Sequence, residues 1–136
     1  MQQEIVRHYC LSIQNYSLKQ YPPLIQSTLK LIDSNFSNDL SLKILAKELN
    51  VNPSYLSRYF KQIMGNTLTD YINHKRIDYA IFLLNTTNLQ IQTISQYCGI
   101  SDVNYFTKLF KKFIFITPSV YRKKVWNTQQ NSFLLH

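Results

Sequence analysis

One stretch of the chain returns about 50 positions further on, and this repeat restricts the fold more than any other feature. The string YLSRYFK, which starts at Tyr55, returns as YFTKLFK at Tyr105. The apolar positions that begin at Leu42 likewise return from Ile91 onward, 49 positions later. Repeats of this kind are supersecondary units that pack against one another. The sequence therefore predicts two copies of one small unit.

Within each copy, the apolar residues keep the spacing of a short helix, a tight turn and a second helix. Ser41 suits the N-cap of the first helix, and Asn52 with Pro53 suits the start of the second. The middle of each turn holds a residue that tolerates a positive φ, Asn50 in the first copy and Gly99 in the second. This order is typical of a helix-turn-helix, whose second helix enters the major groove of DNA.

The predicted fold is all-α, with two homeodomain-like helix-turn-helix subdomains in tandem, joined by one long connecting helix. With about 17 residues, that helix would be about 25 Å long and could set two recognition helices about one DNA turn apart. In chain order the predicted parts are an N-terminal helix or the remnant of a linker to an upstream domain (1–21), the first subdomain (22–66), the connecting helix (67–84), the second subdomain (85–122), and a basic, then polar tail that we expect to be disordered (123–136).

The positive charge lies in one part of the chain. Lys and Arg number 15 against 7 Asp and Glu, which gives a formal net charge of +8. The two signs balance over residues 1–40, so the whole excess lies in residues 41–136. An excess of this size favours an anionic partner, with nucleic acid as the first candidate and a membrane surface as the second.

Glycine and cysteine exclude several other functions. The 2 glycines of the chain cannot build a phosphate-binding loop or a dinucleotide fingerprint. Cys10 and Cys98 stand too far apart for a metal-binding pair, and two lone cysteines suit a reduced compartment. No apolar run reaches the roughly 18 residues of a membrane span, and the first residues lack a signal-peptide layout. We expect a cytoplasmic, nucleoid-associated protein that is not an enzyme, with no catalytic site, metal, cofactor or membrane contact.

Two long strings carry a resemblance to a known family: LSLKILAKELNVNPSYLSRYFKQIMGNTLTDYINHKRIDYAIFLL and IQTISQYCGISDVNYFTKLFKKFIFITPSVYR. Residues 41–122 resemble the DNA-binding domain of AraC/XylS-type transcription regulators. The resemblance implies sequence-specific binding of double-stranded promoter DNA by two recognition helices in adjacent major-groove segments, in an activator. It also implies a separate effector or dimerisation domain upstream, which we expect outside this chain. RNA polymerase is a further candidate partner.

Two positions depart from the family's pattern. Ser95 stands where the family usually has alanine, and we expect its hydroxyl to bond back to a carbonyl of its own helix. Phe115 stands where glycine is frequent, at the position that Gly65 holds in the first copy. Because phenylalanine adopts a left-handed cap only at a steric cost, the sequence alone does not determine how the second recognition helix ends.

The second helix of each copy supplies the candidate DNA contacts. In the first copy, Leu56 and Phe60 are predicted to face the core, which turns the polar positions outward. Arg58 could pair with guanine, Asn104 with adenine, and Val103 could touch a thymine methyl group. The resemblance implies base contact for Ser54, Ser57 and Arg58. The base-contact candidates are Ser54, Ser57, Arg58, Val103, Asn104, Thr107 and Lys108, and the phosphate-contact candidates are Lys61, Lys111, Lys112 and Arg122.

Two other functions fit the same residues. A helical module that binds RNA or other nucleic acid without sequence preference would share the charge pattern, and its many tyrosines and phenylalanines could stack on single strands. A protein-interaction domain would present the same basic face to an acidic partner. Aromatic residues at helical spacing are more typical of a core, which favours the double-stranded DNA interpretation.

Overall fold

The computed structural model describes the backbone of residues 20–134 and the side chains of residues 20–131. Over that range the chain forms seven α-helices and no β-strand, which confirms the predicted all-α class. The predicted N-terminal helix or linker lies outside the described residues, apart from its last two positions. The helices are α1 (Pro23–Asn35), α2 (Leu42–Leu49), α3 (Pro53–Met64), α4 (Leu68–Thr86), α5 (Ile91–Tyr97), α6 (Val103–Ile114) and α7 (Pro118–Leu134).

Helices α1, α2 and α3 pack around one core and form the first helix-turn-helix unit. Each helix buries one apolar face, and the start of α4 closes the core from the other side. No helix in the described range is long and apolar enough to span a membrane. The buried apolar residues of this core are Ile25, Leu29, Ile32, Leu45, Ala46, Leu56, Phe60, Leu68 and Ile72.

The helix ends of the first unit follow the predicted caps. The Ser41 hydroxyl accepts a hydrogen bond from the amide of Ile44, and the Asn52 side chain accepts one from the amide of Tyr55. Asn50 has a φ of 57° in the turn between α2 and α3, where the left-handed conformation was expected. Gly65 ends α3 with a φ of 82°. These positions confirm the predicted turn and caps.

Helix α4 connects the two units and belongs to both of their cores. Its 19 residues give it a length of about 28 Å, and it ends at Thr86, slightly beyond the predicted boundary. Leu68 and Ile72 pack into the first core from the N-terminal half. The C-terminal half packs into the second core, so one continuous helix holds the two units together. Its residues in that core are Ile77, Ala80, Leu83 and Leu84.

Helices α5 and α6 form the second unit, and Ser95 lies fully buried within it. Its hydroxyl donates to the main-chain oxygen of Ile100 at 2.5 Å, while the Ile100 amide donates to the Ser95 carbonyl at 2.9 Å. The predicted bond to a carbonyl of its own helix is therefore wrong. The tight turn brings Ile100 back over the buried face of α5, so the hydroxyl finds its acceptor beyond the helix.

Phe115 ends α6 with a φ of 75°, close to the φ of 82° at Gly65. Its amide donates to the carbonyl of Lys111 at 2.8 Å, as the Gly65 amide does to Lys61. The two recognition helices therefore end in the same way. The backbone keeps the same cap although a left-handed phenylalanine costs about 1–2 kcal/mol, and its side chain is 81% exposed.

Helix α7 runs through most of the segment that we expected to be disordered. That expectation is wrong for residues 123–134, which continue the helix begun at Pro118. After Pro118 no glycine or proline interrupts the helical stretch. Contacts one helical turn apart support it: the Arg122 guanidinium lies 5.9 Å from the Trp126 ring, and the Thr128 hydroxyl donates to the carbonyl of Lys124.

Candidate nucleic-acid interface

Helix α3 presents a polar face because its apolar residues point into the first core. Leu56 and Phe60 are completely buried, as predicted. Ser54, Arg58 and Lys61 are exposed on the other side of the helix, and Ser57 is half-buried beside them. Four of the predicted DNA-contact residues therefore share one accessible surface.

The Arg58 side chain lies along its own helix. Its Nε donates to the main-chain oxygen of Ser54 at 3.3 Å, at the exposed start of α3. The neighbouring Tyr55 and Tyr59 rings stack with their centroids 5.6 Å apart and their planes 9° apart. The bond of Arg58 leaves its two terminal nitrogens available, and these are the atoms that a bidentate contact to guanine uses.

Helix α6 repeats this arrangement in the second unit. Phe106 and Phe110 are completely buried. The side chains on the outer face are either exposed or half-buried. On this face the Thr107 hydroxyl donates to the carbonyl of Val103 at 2.9 Å. Asn104, Lys108, Lys111 and Lys112 are exposed, and Val103 and Thr107 are half-buried.

Asp102 is the acid closest in sequence to the α6 face, and it caps the helix. Its carboxylate accepts from the amide of Asn104 at 2.9 Å and from the amide of Tyr105 at 3.4 Å. This position at the start of α6 stabilises the helix because a negative charge there complements the helix dipole. One carboxylate oxygen, Oδ1, accepts both of these bonds, so Asp102 serves as the N-cap of α6.

The two outer faces match at four positions. Two small polar residues of α3 are matched by small polar residues 50 positions later on α6. Two cations of α3 are matched in the same way by cations of α6. Neither helix contains an acidic residue, while α3 carries two basic residues and α6 carries three. The matched pairs are Ser54 and Asn104, Ser57 and Thr107, Arg58 and Lys108, and Lys61 and Lys111.

Arg122 differs from the other predicted phosphate contacts because its guanidinium is bonded within the protein. Its Nη1 donates to the carbonyl of Leu89 at 2.5 Å, and its Nη2 donates to the carbonyl of Thr87 at 3.3 Å. Burial lowers the pKa of this guanidinium. These two bonds use two of the five N–H donors of the guanidinium and tie α7 to the loop before α5, so Arg122 has a structural role. Its contact with phosphate stays a prediction.

Arg76 on α4 has a similar structural position. Its Nε donates to the carbonyl of Phe36 at 2.8 Å and its Nη2 to the carbonyl of Asn38 at 3.1 Å. Burial lowers its pKa, while the charge of Asp39 acts in the opposite direction. The guanidinium thus lies between the connecting helix and the loop that precedes α2.

Two exposed tyrosines belong to the same surface and were not among the predicted contacts. Tyr55 and Tyr105 are each 50% exposed and stand at equivalent positions of the repeat. Each directly follows a base-contact candidate, Ser54 or Asn104. Their hydroxyls could donate to phosphate oxygens, as tyrosines do in many DNA complexes. The shared tyrosine at the start of the two repeated strings was the available sequence signal.

The titratable groups inside the second unit suit a structural role. Cys98 is completely buried, and burial raises the pKa of its thiol to about 12. Its thiol therefore stays protonated at neutral pH, which is typical of an inert core cysteine. Among the residues that the structure describes, no three His, Cys, Asp or Glu side chains come together as a metal site would require.

Tandem helix-turn-helix units with basic outer faces define a DNA-binding domain. Residues 45–124 match the family model described as a helix-turn-helix domain. The transcriptional activator AarP of Providencia stuartii is 36% identical over 112 residues, which cover 82% of this chain and 82% of AarP. The chain belongs to the AraC-type helix-turn-helix family of transcriptional regulators and binds specific DNA sequences in transcription regulation.

Solved structures agree with this assignment. The C-terminal domain of AraT, a response regulator from Geobacillus stearothermophilus, is 35% identical, has a TM-score of 0.74, and matches over 76% of this chain and 86% of that one. A transcriptional regulator with an AraC-type DNA-binding domain from Chromobacterium violaceum is 28% identical, with a TM-score of 0.69 over 76% of this chain and 92% of that one. Several curated relatives are longer, since the chain spans only 33% to 40% of their length.

Proposed function

We propose that α3 and α6 bind two successive major-groove segments on one side of a DNA duplex. The observation that carries this proposal is the match between their outer faces, which are both polar, basic and free of acids. A protein with one recognition surface needs only one such face. Two equivalent faces, on two helices joined by one connecting helix, suit two consecutive segments of one duplex.

The base contacts that we propose lie near the start of each recognition helix. Arg58 would donate to guanine through its two terminal nitrogens, and Asn104 would pair with adenine. Val103 would contact a thymine methyl group. The remaining base-contact residues are Ser54, Ser57, Thr107 and Lys108, and those that we assign to phosphate are Lys61, Lys111 and Lys112.

We further propose that the domain acts in the cytoplasm as part of a bacterial transcription activator and that it works by binding rather than catalysis. AarP, which matches this chain over 82% of the length of each protein, is named as a transcriptional activator. In this role the DNA-bound domain could contact RNA polymerase, and an effector or dimerisation domain upstream would control it. The longer relatives leave room for such a domain.

Salt-dependent titration tests the DNA-binding mode. A duplex selected from a random library and a scrambled duplex of the same composition are titrated with the full chain at several salt concentrations. The three lysines assigned to phosphate give an expected slope of log K against log salt of about −3. The selected duplex should bind at least about a thousandfold more tightly. Equal affinity for both duplexes would instead support a non-specific nucleic-acid binder, and no binding to either would support a protein-interaction domain.

A further inference from the structure

The loop of residues 36–38, between α1 and α2, touches the turn of the second unit. Gly99 lies in that turn with a φ of 85°. A Cβ atom placed on Gly99 would stand 2.9 Å from the main-chain oxygen of Phe36 and 2.9 Å from that of Ser37. Side chains do not approach backbone atoms so closely. Glycine is therefore needed here for two reasons, its turn conformation and its contact with the first unit.

Helix α4 holds the other side of the same loop. Arg76 binds the carbonyls of Phe36 and Asn38 through two nitrogens of one planar guanidinium. The Phe36 ring also meets the Tyr79 ring edge-on, with centroids 5.5 Å apart. Phe36 packs on the first core and Tyr79 on the second. The loop is thus enclosed by the connecting helix and the second unit together.

We propose that this junction, formed by the 36–38 loop, Arg76 and Gly99, fixes the separation and relative rotation of α3 and α6. The number of base pairs between the two recognised segments would then be part of the specificity of this protein. The proposal rests on the proposed function, because it requires both helices to bind one duplex. Arg76 and Gly99 act here as positioning residues that touch no DNA.

The physical reason is the helical geometry of DNA. One extra base pair moves the second segment by about 3.4 Å along the axis and turns it by about 34–36°. A protein with a fixed junction cannot adjust to both the shift and the rotation of the second segment, so it loses contacts with one of the two segments. A protein with a loosened junction can follow them, at the cost of weaker binding at the best spacing.

Selection from random DNA tests this without knowledge of the operator. The full chain is used to select duplexes from a library with about 30 random base pairs, which accommodates two DNA turns with flanks. The selected sequences show two recognised blocks and the spacing between them. The same selection is made with Gly99→Ala and with Arg76→Gln, and affinities are then measured for the best site and for versions with one base pair inserted or removed.

Matched controls separate positioning from loss of stability. Gly65 has nearly the same positive φ as Gly99, but a Cβ there meets nothing within 4 Å, so Gly65→Ala has the same backbone strain without the junction contact. Arg122→Gln removes two carbonyl bonds of the same kind inside the second unit. Thermal unfolding of every variant confirms that it is folded at the selection temperature. If Gly99→Ala or Arg76→Gln is unfolded at that temperature, Arg76→Lys is used in its place.

We expect the wild type and both controls to select one spacing and to lose about tenfold or more in affinity when one base pair is inserted. With Gly99→Ala or Arg76→Gln, we expect several spacings, and a loss of no more than about threefold on insertion. The junction proposal is wrong if these variants keep the spacing preference of the wild type. If the wild type selects a single block or none, the two-segment binding mode itself fails and the junction proposal fails with it.

Discussion

Asn38 and Thr87 stand 49 positions apart at the same place in the two repeats, and the main-chain oxygen of each accepts a hydrogen bond from an arginine. Arg76 of α4 donates to Asn38, and Arg122 of α7 donates to Thr87. In both units, therefore, the helix that follows the helix-turn-helix holds the loop that precedes it. The two arginines are not equivalent in the repeat, so the same contact is made from two different positions.

The first prediction separates a structural arginine from a DNA-binding lysine. Arg122→Ala should lower the free energy of unfolding by about 1–3 kcal/mol, because it leaves two carbonyls without their charged donor. Lys111→Ala should change stability by less than about 0.5 kcal/mol and reduce the salt slope by about 1. Urea denaturation and DNA titration at several salt concentrations measure both effects. A reduced slope in Arg122→Ala with normal stability would place Arg122 among the phosphate contacts.

The second prediction concerns base recognition. Arg58→Ala and Asn104→Ala should each relax specificity at particular base pairs, with a loss of about 1–3 kcal/mol in discrimination at those positions. Lys111→Ala serves as the control, since losing a phosphate contact should weaken binding to all sequences alike. Affinities for a set of single-base variants of the selected site give the comparison. Uniform weakening by all three substitutions would remove Arg58 and Asn104 from the base contacts.

The third prediction uses the strained cap at Phe115. Phe115→Gly should raise the free energy of unfolding by about 1 kcal/mol, since glycine adopts a positive φ without the steric cost and little buried surface is lost. Lys112→Gly is the control within α6, where glycine replaces an exposed residue of helical conformation and should destabilise by about 1 kcal/mol. Urea unfolding curves of both variants decide the matter. If Phe115→Gly is also destabilising, the exposed ring makes a contact worth more than the strain.

The fourth prediction follows from the buried thiol of Cys98. In a Cys10→Ser background, DTNB should react slowly with the native protein at pH 8 and at least about tenfold faster after unfolding in urea, because the native pKa is about 12. The same raised pKa implies that Cys98 contributes its full stabilisation below the pKa of its thiol in the unfolded chain, about 8.5. This contribution falls as the pH rises above that value.

The loss of stability from Cys98 should reach about 1.4 kcal/mol per pH unit between the two pKa values. Burial also raises the pKa of Tyr71, so part of the alkaline destabilisation will remain when the thiol is absent. Cys98→Ala should therefore have a shallower, though not flat, dependence of unfolding free energy on pH between 9 and about 11. An unchanged slope in Cys98→Ala, or rapid native labelling, would place the thiol in contact with water.

Much of the fold could be predicted because its signals are local. The caps at Ser41 and Asn52 use a side chain and an amide three residues away, and the turn at Asn50 requires a positive φ within one residue. The orientation of α3 and α6 follows from the helical spacing of their buried residues. The same spacing placed most of the candidate DNA contacts on exposed faces.

Contacts between residues far apart in the chain could not be predicted from the sequence. Arg122 reaches back 33 positions to Leu89, and no pattern within α7 distinguishes it from a solvent-exposed cation. The close approach of Gly99 to Phe36 depends on the packing of two units, whereas the sequence shows only the turn. On α4 the buried face turns by about 140° between Ile72 and Ile77, as the helix passes from one core to the other, so no single apolar stripe marks it.

That change of face on α4 has a consequence for how the protein unfolds. Its N-terminal half carries buried side chains of the first core and its C-terminal half those of the second, so the helix cannot unwind along its whole length without opening both cores. Melting of one unit also breaks the contacts that join the 36–38 loop to Arg76 and Gly99, and so exposes a face of the other unit. The duplicated sequence should accordingly lose its structure in a single cooperative step, and two copies of a motif behave as one thermodynamic unit.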